Sequence, residues 1–330
     1  MANHKKGKAK KPQKNNNNKQ PGKQPGKKNE VKRPSAEGML AQCSKEYLSL
    51  QLNPFVASHS SCLPVPPSLP TQKLTTVVRG TFEIGTLGFG FVTARPVHAV
   101  ANDDDAVYYS LGAYTGSTVV ASGTGVVAAA SNSPYVAADF GSADTELQYR
   151  TVSSGLRVRY TGSELNRGGV VLPYCQPEHA SLNSAGTSDV LGDITVSTVP
   201  VDRRWHACYW TPGATANEYT FSGSLSDAAM PMAVMVVGEA ENTFEFEFYT
   251  HFEITGRKAS LSYSPSHSDS QGFGYVQQVT NSPIARRLAS EGSKSVISWA
   301  WRALNAAATY TYGVPRIEPE LLTNFAHNDL

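Results

Sequence analysis

Residues 243–255, TFEFEFYTHFEIT, limit the fold of this chain more than any other stretch. Phe244, Phe246, Phe248, Phe252 and Ile254 alternate with Glu245, Glu247, Tyr249, His251 and Glu253. That is a period of two, with one apolar and one polar face. A helix of 3.6 residues per turn would scatter the phenylalanines around its axis. The segment is therefore a strand with one face in a core. Shorter candidates precede it: 74–85, 88–95, 107–111, 119–121, 125–129, 147–152, 156–161, 170–175, 194–199, 205–210 and 232–237. Turn-rich spacers separate them. Eight to ten such strands describe an all-β sandwich or jelly roll.

The charge is divided unevenly. Residues 1–33 carry twelve bases, Lys5, Lys6, Lys8, Lys10, Lys11, Lys14, Lys19, Lys23, Lys27, Lys28, Lys32 and Arg33, against one acid, Glu30, a net of +11. The rest of the chain holds 17 bases and 26 acids, a net of −9. Asn, Gln, Gly and Pro fill the remainder of 1–34, with almost nothing to bury, so the segment is expected to be a disordered arm. Each cation can neutralise a phosphate and release a counterion. With no aromatic residue the arm has no platform for stacking bases, so binding would be independent of sequence. The other readings of such an arm are a nuclear-import signal, which KKGKAKK (5–11) would suit, or a solubilising tail.

Between arm and strands, Met39, Leu40, Cys43, Tyr47 and Leu48 share one helical face, which predicts a short helix within 36–52, stopped at Asn53-Pro54. Residues 54–72 are Pro- and Ser-rich and read as a surface linker. After residue 260 the period changes again, predicting helices over 283–290 and 295–308. The four domains so drawn are the arm (1–34), the helix and linker (35–72), the sandwich (73–260) and a helical or extended tail (261–330). Only 17% of residues are charged, against about 25% in ordinary soluble domains. A surface so poor in charge suits a protein covered by neighbours.

Chemistry is sparse. The chain has no GxSxG elbow, GxxxxGK[ST] loop or HExxH pair, and GTLGFG (85–90) lacks the last Gly of a dinucleotide fingerprint. Cys175 with His179, and His206 with Cys208, have the wrong spacing for zinc. Four cysteines (43, 62, 175, 208) make no disulfide framework. With a polar N-terminus and no apolar run near the roughly 18 residues that span a bilayer, they predict a protein made in reducing cytosol. Asp103, Asp104 and Asp105 form an acidic cluster that could hold Ca2+, which favours several oxygen ligands, or could be a solvated turn. No enzymatic role is expected.

GLRVRYTGSELNRGGVV (155–171) reads as two strands joined by a capped loop. It resembles the shell-domain segment of noda-like and tombus-like virus capsid proteins. GTLGFGFV (85–92) is similar too, as is the order of parts: basic arm, short helix, Pro-rich entry, strands and a final Glu-rich strand. The resemblance spans roughly 40–260. It implies an eight-stranded antiparallel jelly roll with short helices before and after it. It further implies a capsid protein that self-assembles into an icosahedral shell around genomic single-stranded RNA, with the arm as the RNA-binding part. Related shells use Ca2+ between subunits, and some such coats cleave themselves late in the chain at an Asn-Ala bond, for which Asn305-Ala306 is the candidate here. The expected location is the virion, assembled in host cytoplasm; the host receptor is not legible. The rival from another class is a cellular β-sandwich binding or scaffold module with a basic tail.

Overall fold

The computed structural model describes residues 42–55, 62–65, 70–140, 147–193, 196, 198–212, 221–225, 229–256 and short pieces at 268–269, 272–274 and 276–277. The arm, the expected helices after residue 282, and Asn305 and Ala306 lie outside the described residues. Described elements are helix α1 (Gln42–Leu52), strands β1 (Gln72–Glu83), β2 (Phe89–Ala94), β3 (Asp105–Ser110), β4 (Val126–Ala130), β5 (Gln148–Tyr160) and β6 (Val170–Cys175), helix α2 (Thr187–Leu191), and strands β7 (Val199–Pro200), β8 (His206–Trp210), β9 (Met232–Val237) and β10 (Thr243–Thr255).

The strand pairing is nested. β1 pairs with β10, β2 with β9, β5 with β8 and β6 with β7, all antiparallel. First meets last, second meets second last, and so on inward, as in one long hairpin rolled up on itself. The roll gives a sheet of order β1-β10-β5-β8 and a second containing β2-β9-β6-β7. This is an eight-stranded jelly roll. The hairpin β3–β4 adds two strands beside β2, making the second sheet six-stranded.

The core lies between the sheets. Phe244, Phe246, Phe248, Phe252 and Ile254 of β10 meet Val92, Ala94, Val234 and Val236 of the opposite sheet and Leu156, Val158 and Tyr160 of β5 in one buried cluster. Phe82 stacks on Phe244 at 5.2 Å, and Phe246 meets Tyr109 at 5.1 Å. Phenylalanine contributes much buried area per side chain; here five core-facing positions of one strand supply the centre of the sandwich.

Several sequence expectations change in the fold. The candidates 147–152 and 156–161 are one continuous strand, β5, because Ser153, Ser154 and Gly155 stay in the ladder opposite β10. Residues 119–121 form no strand; Val119 instead bonds by its backbone to Ser184 and Ala185. Of the candidate 194–199, residues 194, 195 and 197 lie outside the described residues, and Val199 opens the two-residue β7. β5 and β6 are not a pair but lie in opposite sheets, so the 161–169 loop crosses the end of the sandwich. Its Gly169 has φ 105° and fits against the Val237 backbone, a conformation costly for other residues. Cys43 and Cys62 form a disulfide, contrary to the expectation from cysteine count: the chain doubles back beside α1 and brings their Cα atoms to 5.9 Å. Cys208 is buried and Cys175 half-buried, and neither takes part in a disulfide.

Truncating a β10 core side chain leaves a cavity that two hydrogen-bonded sheets cannot readily close. Phe246→Ala is expected to lower unfolding free energy by about 3–5 kcal/mol in urea titration. Exposed Leu87→Ala should change it by less than about 0.5 kcal/mol.

Candidate functional site

The polar face of β10 is not uniformly exposed. Its second half is covered by α1 and the segment that follows. Cys43, Tyr47, Leu48, Leu50 and Leu52 are buried, and Gln51 Nε2 lies 3.5 Å from the Val152 carbonyl on β5. Asn53 closes the helix: its backbone N–H donates to Ser49, and its side chain accepts from the Phe55 N–H. Pro54 and Phe55 then cross Gly155, where any Cβ would collide with both rings. Gly155 is thus required by close approach of another backbone segment. Tyr47 stacks on Phe273, and Ser44 donates to Asp269 at 2.7 Å.

Beneath this cover is an ionic cluster. Glu253 is fully buried. One carboxylate oxygen accepts from Arg150 Nε at 2.6 Å and the Leu63 backbone N–H at 2.9 Å; the other accepts from the Thr71 hydroxyl at 2.7 Å. Arg150 also donates to the Leu63 carbonyl at 3.3 Å, and Lys73 lies 3.8 Å from Glu253. Burial lowers the Lys73 pKa, with Glu253 acting against it. A buried charge is tolerated only when paired and hydrogen-bonded. Here the partners come from the sheet and from the covering segment together, so the cluster ties one to the other.

His251 makes a second tie. Its Nε2–H donates to the Pro54 carbonyl at 2.7 Å, since that oxygen can only accept, which leaves Nδ1 to accept from the Thr75 hydroxyl at 2.9 Å. The ring is buried, and burial pushes its pKa below the ordinary histidine value, with the Pro54 hydrogen bond opposing.

The first half of the same face is open and carries arginines. Glu247 receives Arg79 Nε at 3.0 Å and Arg157 Nε at 2.8 Å; Glu245 receives Arg159 Nε at 2.7 Å. The Arg157 guanidinium lies 4.4 Å from both the Phe55 and Trp205 ring centroids, and that of Arg159 lies 4.6 Å from Trp205. The face therefore offers an anchored cover, made by α1, Pro54, Phe55 and Leu63, and, beside it, a stacked set of cations. Neither is declared by a motif; the alternation of Arg157 and Arg159 with Val158 and Tyr160, and RRW (203–205), are the local signs of the second.

The predicted acidic cluster diverges. Asp104 accepts from His98 Nδ1 at 2.5 Å and lies 3.7 Å from Arg95. Asp103 accepts from the Ala137 N–H at 2.5 Å. Asp105 opens β3 with its side chain exposed. Among the described residues no group of three His, Cys, Asp or Glu could hold a metal ion. His179 packs on Trp210 at 5.0 Å and His206 bonds Asp202 at 2.8 Å. The arm residues and Asn305-Ala306 lie outside the described residues.

No protein-family model matches the chain, and no curated protein does. Solved structures with distant similarity include T=1 particles derived from infectious bursal virus, at 8% identity and TM-score 0.44 over 83% of this chain and 98% of that one. Others are the decameric BFDV capsid protein, at 10% identity and TM-score 0.31 over 57% and 99%, and the mud crab tombus-like virus, at 9% identity and TM-score 0.28 over 66% and 98%. The fold assignment rests on the chain's own strand pairing.

Removing the Glu253 charge strands buried Arg150. Glu253→Gln is expected to cost about 3–5 kcal/mol in urea titration, whereas joint replacement of Arg150 and Glu253 by Met and Leu should cost much less. His251 favours the neutral form when folded. Its contribution is therefore complete above the unfolded pKa of about 6.5 and is lost as pH falls below it towards the lower folded value. The wild-type denaturation midpoint should drop across that window, and His251→Gln should flatten the drop.

Proposed function

We propose that the chain is the coat subunit of a non-enveloped RNA virus. Copies close into an icosahedral shell, and the arm neutralises the enclosed single-stranded genome. The observation that carries this reading is the division of charge along the chain: residues 1–33 are net +11 and the rest is net −9. The cationic segment attracts a polyanion and the body repels it, so RNA binding is confined to one part of the subunit. Within the body, the segment after α1 is tied to the β1-β10-β5-β8 sheet by the Leu63 N–H on Glu253 and by His251 on the Pro54 carbonyl. Assembly is expected in host cytoplasm, with the finished shell leaving as the virion.

The jelly roll alone does not settle this, since lectin domains and cupins share it. A second feature supports shell contacts. The β1–β2, β5–β6, β7–β8 and β9–β10 connections meet at one end. Gly238 donates its N–H to the Gly88 carbonyl, Asn242 its side-chain amide to the Asn166 carbonyl, and Arg203 its guanidinium to the Gly162 carbonyl. That end bears Leu87, Val237 and a Leu165 that is 96% exposed. Large exposed apolar side chains grouped together fit a surface that neighbours cover.

Sedimentation tests the reading. The full chain mixed with RNA should form large, nucleic-acid-containing particles. Replacing the twelve arm Lys and Arg by Gln should remove the RNA, because most of the affinity comes from counterion release. Leu165→Asp should leave small species with an unchanged unfolding midpoint. A wild-type chain that stays monomeric or dimeric with RNA across salt concentrations would overturn the proposal.

A further inference from the structure

The open half of the β1-β10-β5-β8 face has a charge arrangement that its ion pairs do not cancel. In each pair the guanidinium stands outward and the carboxylate lies below. The side chain of Arg79 is 60% exposed against 11% for Glu247, and that of Arg159 42% against 30% for Glu245. The adjoining turn repeats the pattern, with Arg204 at 83% against 21% for Asp202. Guanidinium has five N–H donors in a rigid fork, and each carboxylate here engages only part of that fork. The outward edges stay available.

The tract is also held in place. Arg157 is stacked between Phe55 and Trp205, Arg159 is on Trp205, and Arg79 is both paired to Glu247 and bonded to the Tyr249 hydroxyl. Rigid cations lose less entropy on binding than free lysines do. Six of the body's 17 bases, Arg79, Arg157, Arg159, Arg167, Arg203 and Arg204, lie on this half-face or in the loops beside it, although the body is net negative. Arg203 and Arg167 share Glu164, which links the last loop to the tract. Phe55, which borders the tract, lies three residues after the end of α1.

We propose that Arg79, Arg157 and Arg159, with Trp205 as their stacking support and Arg203 and Arg204 at the margin, form a second nucleic-acid contact. It is a preformed cradle for the phosphate backbone of single-stranded RNA, separate from the arm. The proposal rests on the RNA-packaging reading and deepens it. The arm captures RNA without order, and the cradle lays a short stretch of backbone along the sheet. Recognition is of phosphate and not of base, because the Trp205 ring already carries two guanidiniums, Arg157 at 4.4 Å and Arg159 at 4.6 Å from its centroid.

Photo-cross-linking of full-length protein to a 4-thiouridine oligoribonucleotide, with mass-spectrometric mapping, tests it. Cross-links should appear on the peptide bearing Trp205 as well as on the arm. In salt titrations of the same oligonucleotide, joint Arg79→Gln and Arg159→Gln should reduce the slope of log K against log salt by roughly 1.4, two contacts at about 0.7 each. Joint Arg79→Lys and Arg159→Lys should keep the slope. Cross-links confined to residues 1–33 with an unchanged slope would overturn the cradle and leave packaging by the arm standing. Absence of RNA binding altogether would overturn both. If the Gln pair abolished self-association of RNA-free protein while leaving the slope intact, the tract would be a contact between copies, and the proposal would fall.

Discussion

A carboxylate out of reach of water governs much of this molecule. Glu253 sits near the end of the central strand β10, with no exposed surface. Several hydrogen bonds are needed to keep it charged there. Arg150 and Thr71 provide some from the sheet and its entry, and the Leu63 backbone provides another from the covering segment. The covering segment must therefore lie where it does for the sheet to be stable. α1, Pro54 and Phe55 are fixed in consequence. A demand of local electrostatics decides which half of this sheet face is covered and which stays open.

That division joins fold to function. Rolling one long hairpin into two sheets leaves two outer faces, and the roll alone does not divide that of the four-stranded sheet into a covered and an open half. The sequence of β10 does so. Its polar positions run Glu245, Glu247, Tyr249, His251, Glu253. The last two lie under α1; the first two hold the guanidiniums of Arg79, Arg157 and Arg159 above an open surface. One face thus holds α1 and a stacked set of cations, on a body otherwise net negative. An RNA-enclosing shell subunit requires that asymmetry, and a free-standing ligand-binding sandwich has no evident use for it.

Legibility followed the range of the interactions. The alternation in β10 and the apolar runs of β6 and β9 declare themselves, because period and composition are local; β6, β9 and β10 coincide with the segments expected. The helix before Asn53-Pro54 is equally plain. Pairings across long sequence separations are not. Arg150 and Glu253 are 103 residues apart and His251 and Pro54 are 197 apart, and nothing in either neighbourhood announces the partner. The polar face of β10 looked uniform for the same reason. The disulfide was missed because cysteine counting ignores geometry, whereas the turn back from α1 brings Cys43 to Cys62. The acidic triplet shows the converse: adjacent in sequence, Asp103 and Asp104 engage different partners, Ala137 and His98, while Asp105 opens β3 exposed.

Cryo-electron microscopy of particles formed by the full chain with RNA is the most direct test of the central claim, that the α1-bearing sheet face is the RNA side of a closed shell. The account predicts closed icosahedral shells in which the β1-β10-β5-β8 sheet, with α1 on it, lines the interior against nucleic-acid density. Shells with that face outward, or only small soluble species under all conditions, would contradict it.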